Sequence, residues 1–399
     1  MTVTIDTVTH HGMGRAGDLL IPRTLPGEMV EPLPDGTARI LTPSPQRVAA
    51  PCRHFRTCGG CAMQHASDAF VADWKAGIVV RALAAQVLAA EIAGVITSPP
   101  RSRRRARLSA RRTKAGALVG FHARASDSIV ETPDCRLLVP PLQSLFAPLH
   151  DLTTMAATRS SEVAFTITHS LNGPDVLVEG GRALTPELQR DLAIWVETHS
   201  IARLVWGADP VALRLPPVQV FGRAQVTPPP GAFLQATAEG EAALLEAVRA
   251  ATSGATRIVD LFAGCGTFTL PLSETAEVHA VEGEAPMLAA LDKGWRNSTG
   301  LRRVTTEARD LFRRPLMPDE LGRFDAAVID PPRAGAEAQM REIAATRLPV
   351  VVLVSCNPAT FARDARILTT GGFQMGPITL VDQFRWSTHV ELVATFTKA

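Results

Sequence analysis

The run Arg257-Ile-Val-Asp-Leu-Phe-Ala-Gly-Cys-Gly-Thr-Phe-Thr-Leu-Pro-Leu272 decides the fold of this chain. A short apolar strand passes directly into Gly264 and Gly266 and then into a helical stretch. The glycines therefore mark a tight turn where backbone can approach a ligand. Glu282 ends the next apolar strand, about 20 residues further on, the position from which a carboxylate accepts hydrogen bonds from ribose hydroxyls. A dinucleotide fingerprint needs a third glycine at position 269, where Thr269 stands. An adenosine ligand without pyrophosphate, S-adenosylmethionine (SAM), fits better. By analogy with such sheets, Asp310 is placed to receive the adenine amino group.

Further apolar strands, each followed by a helical stretch, occur at Phe324 to Asp330 and Pro349 to Ser355. Residues 231–399 therefore read as an α/β, Rossmann-like domain whose parallel sheet is covered on both faces. Before it, β-type runs such as Val163 to Thr168 and Asp175 to Val178 alternate with turn residues up to Pro228-Pro-Pro-Gly231. The span 49–230 reads as a Cys-rich segment followed by a central α+β domain, with a helix-favouring Ala-rich stretch from Ala72 to Ala93. Residues 1–48 hold short apolar runs broken by Gly and Pro, as in a small β-rich module. Three domains suit a chain of 399 residues with 46% hydrophobic content, because single cores stop growing at roughly 250–300 residues. No run approaches the roughly 20 apolar residues of a membrane span, and the amino terminus lacks the regions of a secretory signal. The expectation is a cytosolic, cytoplasmic protein with no membrane partner.

The strand ending at Val354 leads into Ser355-Cys356-Asn357-Pro358, so the Cys356 thiol should emerge at the carboxyl edge of the sheet, where open α/β folds bind ligands. Pro358 suits the first turn of a helix, whose dipole would lower the pKa of a nucleophilic thiol. A buried structural cysteine is the plainer alternative. Asp330-Pro-Pro-Arg333 brings a carboxylate to the same edge. Related turns in amino-group methyltransferases carry an aromatic residue where Arg333 stands, which counts against nitrogen methylation. His389 to Phe396 reads as a strand with positions 389 and 391 on one face, so His389 or Glu391 could be a base.

Cys52, Cys58 and Cys61 form C-x5-C-x2-C, with Cys135 far downstream. Cytosolic thiols stay reduced, which favours ligation or catalysis over disulfides. One triad with a distant fourth thiolate fits an iron–sulfur cluster better than zinc, which would draw on His54 or His65. Cys265 reads as a small residue filling its turn. The net charge of +2 decides nothing. Locally, Arg101, Arg103, Arg104, Arg105, Arg107, Arg111, Arg112 and Lys114 stand in a stretch free of acids, a footprint for RNA phosphates or else a solvated face.

Four stretches carry a specific resemblance: Asp260 to Gly266, Asp330-Pro-Pro-Arg-Ala-Gly335, Ser355-Cys-Asn-Pro-Ala-Thr-Phe-Ala-Arg-Asp364 and Thr388-His-Val-Glu391. The chain resembles the RNA uracil-C5 methyltransferase family, in particular the iron–sulfur branch that modifies large-subunit (23S) ribosomal RNA. The resemblance implies that Cys356 is the nucleophile and Glu391 the base. It implies that Gln235, Phe262, Thr267, Glu282, Asp310 and Asp330 line the SAM site beside Gly264 and Gly266. It further implies a 4Fe-4S cluster on Cys52, Cys58, Cys61 and Cys135, a short TRAM-like, OB-like β-barrel over residues 1–48, and a monomer. C5 of uracil is too weak a nucleophile to attack a sulfonium methyl, so thiolate addition to C6 must first make an enolate. That chemistry needs no electron, which points to a structural or RNA-positioning cluster, with redox sensing as the alternative. The target uracil must be flipped out, and Phe384 and Trp386 are candidates to stack on it. Competing readings are a transfer-RNA uracil or nucleic-acid cytosine methyltransferase, and a redox-responsive RNA-binding protein with an inactive methyltransferase domain. Family members acting on transfer RNA usually lack the cysteines.

Overall fold

The computed structural model describes residues 2–89 and 91–398. The apolar runs of the carboxyl-terminal part pair side by side, because each is hydrophobic on both faces and needs cover on both. They form an eight-stranded sheet in the order Val304–Ala308, Glu277–Glu282, Arg257–Leu261, Ala326–Ile329, Val350–Ser355, Leu392–Thr397, Gln374–Asp382, Ile92–Thr97. All neighbouring strands are parallel except Leu392–Thr397, which runs antiparallel to both of its neighbours. The strand order reverses between Arg257–Leu261 and Ala326–Ile329, so a crevice opens beyond Leu261 and Ile329, where such sheets bind ligands.

Ile92–Thr97 had no place in this sheet on the sequence reading. The Ala-rich helix spans Asp68–Ala84 and not 72–93. It begins early because the Ser67 hydroxyl accepts from the Phe70 N–H, with Asp68 in the first turn. It ends early because Ile92–Thr97 is drawn into parallel pairing with Gln374–Asp382. Val79 and Leu83 of the helix pack in one core with Phe361 and Leu368. The span 49–230 is thus divided, its first helix and strand serving the carboxyl-terminal layer. Lys75 anchors that arrangement. Its ammonium, 1% exposed, lies 2.6 Å from Asp382 and also donates to the Phe384 carbonyl at 3.3 Å. Neither partner can be removed alone without leaving an uncompensated buried charge.

The central domain is a seven-stranded sheet in the order Ile129–Glu131, Ala117–His122, Arg105–Arg112, Glu162–Thr168, Asp175–Glu179, Arg203–Trp206, Asp209–Leu213. Its one parallel pair, Asp175–Glu179 with Arg203–Trp206, is connected through the helix Pro186–Thr198, as a parallel crossover requires. The amino-terminal residues make two antiparallel three-stranded sheets within Val3–Thr42 around Ile5, Ile21 and Val30. Glu28, fully buried, closes this module by pairing with Arg47 and accepting the Leu25 and Ser44 N–H groups.

Candidate active site

Three left-handed residues in five, Phe262 (φ 63°), Gly264 (φ 56°) and Gly266 (φ 93°), reverse the chain after the strand Arg257–Leu261. A side chain on Gly266 would come within 2.9 Å of Leu291, so the turn can sit this close to its neighbour only with glycine. Glu282 fastens the turn from the adjacent strand: its carboxylate accepts the Gly264 N–H at 3.0 Å and the Glu284 N–H at 3.0 Å. Thr269 has a positive role where a third glycine is absent, for its hydroxyl donates to the buried Asp260 carboxylate at 2.5 Å. Burial pushes Asp260 up to about 7. Asp310 is exposed and accepts the Phe312 N–H at 3.0 Å, and the Phe312 ring lies 5.5 Å from that of Phe262. Phe262 and Thr267 are half-buried in the same turn.

The helix after Cys356 forms as expected, over Pro358–Thr370 with Pro358 in its first turn, and the Asn357 side chain caps it by accepting the Ala359 N–H. The same segment grips the Asp330–Gly335 loop. Asn357 donates to the Arg333 carbonyl at 3.0 Å, Arg363 to the Ala334 carbonyl at 3.0 Å, and Asp364 accepts the Ala336 N–H at 2.7 Å. Gly335 (φ 75°) approaches so closely that a Cβ would lie 2.6 Å from an Asp364 oxygen. Two motifs distant in sequence are therefore one rigid edge, which sets Asp330 and Cys356 side by side.

Electrostatics here differ from the sequence expectation. Burial pushes the Cys356 thiol up to about 11, the carboxylates of Glu391 and Asp330 add to the rise, and Arg333 opposes it. The helix dipole does not prevail, because Cys356 precedes the cap and faces two acids. Glu391 is 2% exposed, so burial raises its pKa against the hydrogen bond from Gln383 and the charge of Arg333. Asp330, ringed by protein although part of its surface stays open, is raised by burial and by Glu391. Both acids therefore bind a proton more tightly than exposed carboxylates would, and Glu391 is not a carboxylate of ordinary acidity.

His389 and Glu391 do not share a strand face. The strand begins at Leu392, and the preceding loop turns His389 outward and Glu391 inward. His389 stands exposed, 2.7 Å from the Arg333 guanidinium, while Glu391 accepts from Gln383 at 2.7 Å. Gln383 was not singled out from sequence and carries no motif signal. It donates to Gln235 at 2.6 Å, and Gln235 donates to Asp330 at 3.0 Å. Of the two aromatic residues expected to stack on a base, Trp386 is buried with Phe55 and Cys61, and its carbonyl accepts the Ala62 and Met63 N–H groups. It is committed to packing. Phe384 is half-buried, with the Arg103 guanidinium 5.6 Å from its ring.

Cys52, Cys58, Cys61 and Cys135 all line one cavity of about 580 Å³, bordered also by Arg103, Arg124 and His389. Gly59 lets the loop close on the central sheet, since a Cβ there would lie 2.8 Å from the His122 carbonyl. Burial pushes Cys61 up to about 12 and raises Cys58 and Cys135. His54 binds Asp134 at 2.8 Å, and His65 stacks on Phe55. Neither lines the cavity. Among the described residues no group of three or more His, Cys, Asp or Glu is arranged to hold a metal ion.

The arginine run is not a uniform phosphate footprint. Arg104 pairs with Glu241, Arg107 with Glu179 and Arg111 with Glu162, acids supplied by other elements. Arg105 donates to the Gly231 carbonyl at 2.9 Å. Arg101, Arg112 and Lys114 are exposed. Among the described residues no helix is long and apolar enough to cross a membrane.

Residues 217–398 match the family model described as tRNA (Uracil-5-)-methyltransferase. An uncharacterized RNA methyltransferase of Brucella suis biovar 1 (strain 1330) is 41% identical over 99% of this chain and 97% of its own length. The 23S rRNA (uracil(1939)-C(5))-methyltransferase RlmD of Shewanella sp. (strain MR-7) is 31% identical over 90% of this chain and 84% of its length. Among solved structures, the tRNA (uracil-54, C5)-methyltransferase of Pyrococcus abyssi in complex with S-adenosyl-L-homocysteine superposes with a TM-score of 0.77 at 20% identity, covering 100% of this chain and 99% of that one. At that identity the likeness concerns the fold.

Proposed function

The chain belongs to the RNA uracil-5-methyltransferase family and is a SAM-dependent enzyme, and on that footing we propose that its target is a uracil of 23S ribosomal RNA, with Cys356 as nucleophile and Glu391 as base. The observation that carries the catalytic part is the convergence of Cys356, Asp330, Glu391 and Gln235 at the carboxyl edge of the sheet, linked by hydrogen bonds and shared charge. The ribosomal part is supported by the similarity to the Shewanella enzyme and by four cysteines facing one cavity.

Cys356 adds to C6, forming the S–C6 bond and moving the C5–C6 π pair into an enolate. SAM supplies an electrophilic methyl group on sulfur, and the S–CH3 pair remains with sulfur as the new C5–CH3 bond forms. Glu391 then takes the C5 proton, the C5–H pair restores the C5–C6 double bond, and the C6–S bond breaks to release the Cys356 thiolate. Because burial keeps that thiol protonated at neutral pH, its proton leaves to water, which the half-buried Cys356 still meets, before the attack, and Glu391 stays ionised to take the C5 proton. Gly264, Gly266, Glu282, Phe262, Thr267, Gln235 and Asp330 would hold the cofactor, and Asp310 would serve its adenine amino group. Residues 1–48 serve as a short TRAM-like RNA-binding module.

Cys52, Cys58, Cys61 and Cys135 would hold an iron–sulfur cluster. A single ion would need sulfurs about 2.3 Å from one point, whereas a four-iron cluster offers each thiolate its own iron. Bound there, it would staple the Cys52–Cys61 loop to the segment bearing Cys135, in a cavity that His389 also lines. Protein purified without oxygen is expected to contain iron and inorganic sulfide, both lost in Cys135→Ser; zinc in place of iron would refute the assignment.

The substrate is tested by mass mapping of ribosomal and transfer RNA from cells lacking the protein, then by methylation of the unmodified RNAs with labelled SAM. One large-subunit 5-methyluridine should disappear and be restored. The Pyrococcus fold relative acts on transfer RNA, and loss of a transfer-RNA 5-methyluridine instead would transfer the assignment to that substrate.

A further inference from the structure

The hydrogen bonds that link Glu391 to Asp330 run through two amides whose orientation is dictated. The Gln383 Oε1 accepts the Ala236 N–H at 2.6 Å. A backbone N–H can only donate, so the amide oxygen must face it and Nε2 must point the other way. Its two hydrogens go to Gln235 Oε1 at 2.6 Å and Glu391 Oε2 at 2.7 Å. Gln235 Oε1 is thereby an acceptor, which leaves its own Nε2 to donate to Asp330 Oδ2 at 3.0 Å. Gln235, Gln383 and Glu391 are each 2% exposed, so water cannot replace these partners. Space is reserved for the arrangement: Gly240 lies in the helix Ala238–Ala251, and a Cβ there would stand 2.7 Å from the Gln383 Cβ. Glycine is unfavourable inside a helix, and here it is what lets Gln383 pack against the helix.

We infer that Gln383 is a positioning residue for the reaction, holding Glu391 by its Oε2 and tying it through Gln235 to Asp330 on the cofactor side. The inference rests on Glu391 being the base. With Oε2 committed as an acceptor, Glu391 receives the C5 proton on Oε1. The hydrogen bond also favours the ionised form of Glu391, which burial disfavours. The charged or titratable groups facing Glu391 are Asp330, Arg333 and Cys356, and Gln383 is the neutral donor among them.

The test is Gln383→Met, close to the same shape without a donor, in the full-length enzyme with unmodified RNA and labelled SAM. The expected kcat is lower by roughly tenfold to a hundredfold, part of the 10²–10⁴ that a positioned base contributes, with KM for RNA little changed. The acid limb of the pH–rate profile should move up by about one unit, because a donor to the charged form is gone. A methylated protein–RNA adduct should accumulate on denaturing gels. If the Met variant does not fold, Gln383→Asn, which keeps an amide of shorter reach, should show the same changes to a smaller degree. A folded variant with parental kcat, or with a lower kcat but an unmoved acid limb and no adduct, overturns the inference. Glu391→Gln run alongside separates the two claims: if it turns over without accumulating adduct, the base assignment itself falls.

Discussion

Cys356→Ala is expected to abolish methyl transfer, by on the order of 10⁴-fold or more, while leaving the fold and SAM binding intact. The magnitude follows from the chemistry. Without the S–C6 bond there is no enolate at C5, and the other cysteine at this edge, Cys265, is buried in the glycine turn with its thiol 3.2 Å from the Met287 sulfur; removal of a covalent nucleophile typically leaves only background catalysis. The fold should survive because the thiol makes no hydrogen bond that holds the Asp330–Gly335 loop. That loop is gripped by Asn357, Arg363 and Asp364. The assay is transfer of labelled methyl to unmodified RNA, with a denaturing gel for the covalent complex. Methylation at the parental rate would rule out Cys356 as the nucleophile. In the parental enzyme the rate of adduct formation should rise with pH through neutrality. The thiol is pushed up to about 11, so its thiolate fraction grows over that whole range.

Glu391→Gln should act later and look different. Loss of a positioned base costs about 10²–10⁴-fold in turnover, yet thiolate addition and methylation do not need it, so the methylated Cys356–RNA adduct should build up during a single turnover. Glu391 is raised by burial, and Asp330 by burial and by Glu391. A base with a raised pKa is protonated, and inactive, below that pKa. Parental turnover should therefore fall as the pH drops below neutral, earlier than an exposed glutamate would require. In the Gln variant the remaining release of product should lose this acid limb. Rapid release with no adduct would assign the proton to another group, and His389, exposed beside Arg333, would be the first to substitute.

Much of this enzyme is local and was readable from the chain. A strand, a glycine turn and a helix are consecutive residues, so the glycine turn at Phe262–Gly266, the emergence of Cys356 before Pro358 and the placement of Asp330 at the sheet edge follow from spacing and from which residues tolerate a left-handed turn. Glu282 is legible for the same reason, since one strand and one connection separate it from the turn it fastens. What the tertiary structure alone decided involves partners far apart in sequence. Gln383 meets Gln235 across 148 residues and Gln235 meets Asp330 across 95, and no periodicity carries such a pairing. The arginine run looked unpaired because Glu162, Glu179 and Glu241 lie outside it. Ile92–Thr97 joins the carboxyl-terminal sheet because the edge strand Gln374–Asp382 has a free side to pair. The acidity of Cys356 reversed expectation, and that of Glu391 is displaced, for a related reason: helix position and residue type set only a starting value, while burial and neighbouring charge, which exist only once the chain has folded, set the direction of the shift.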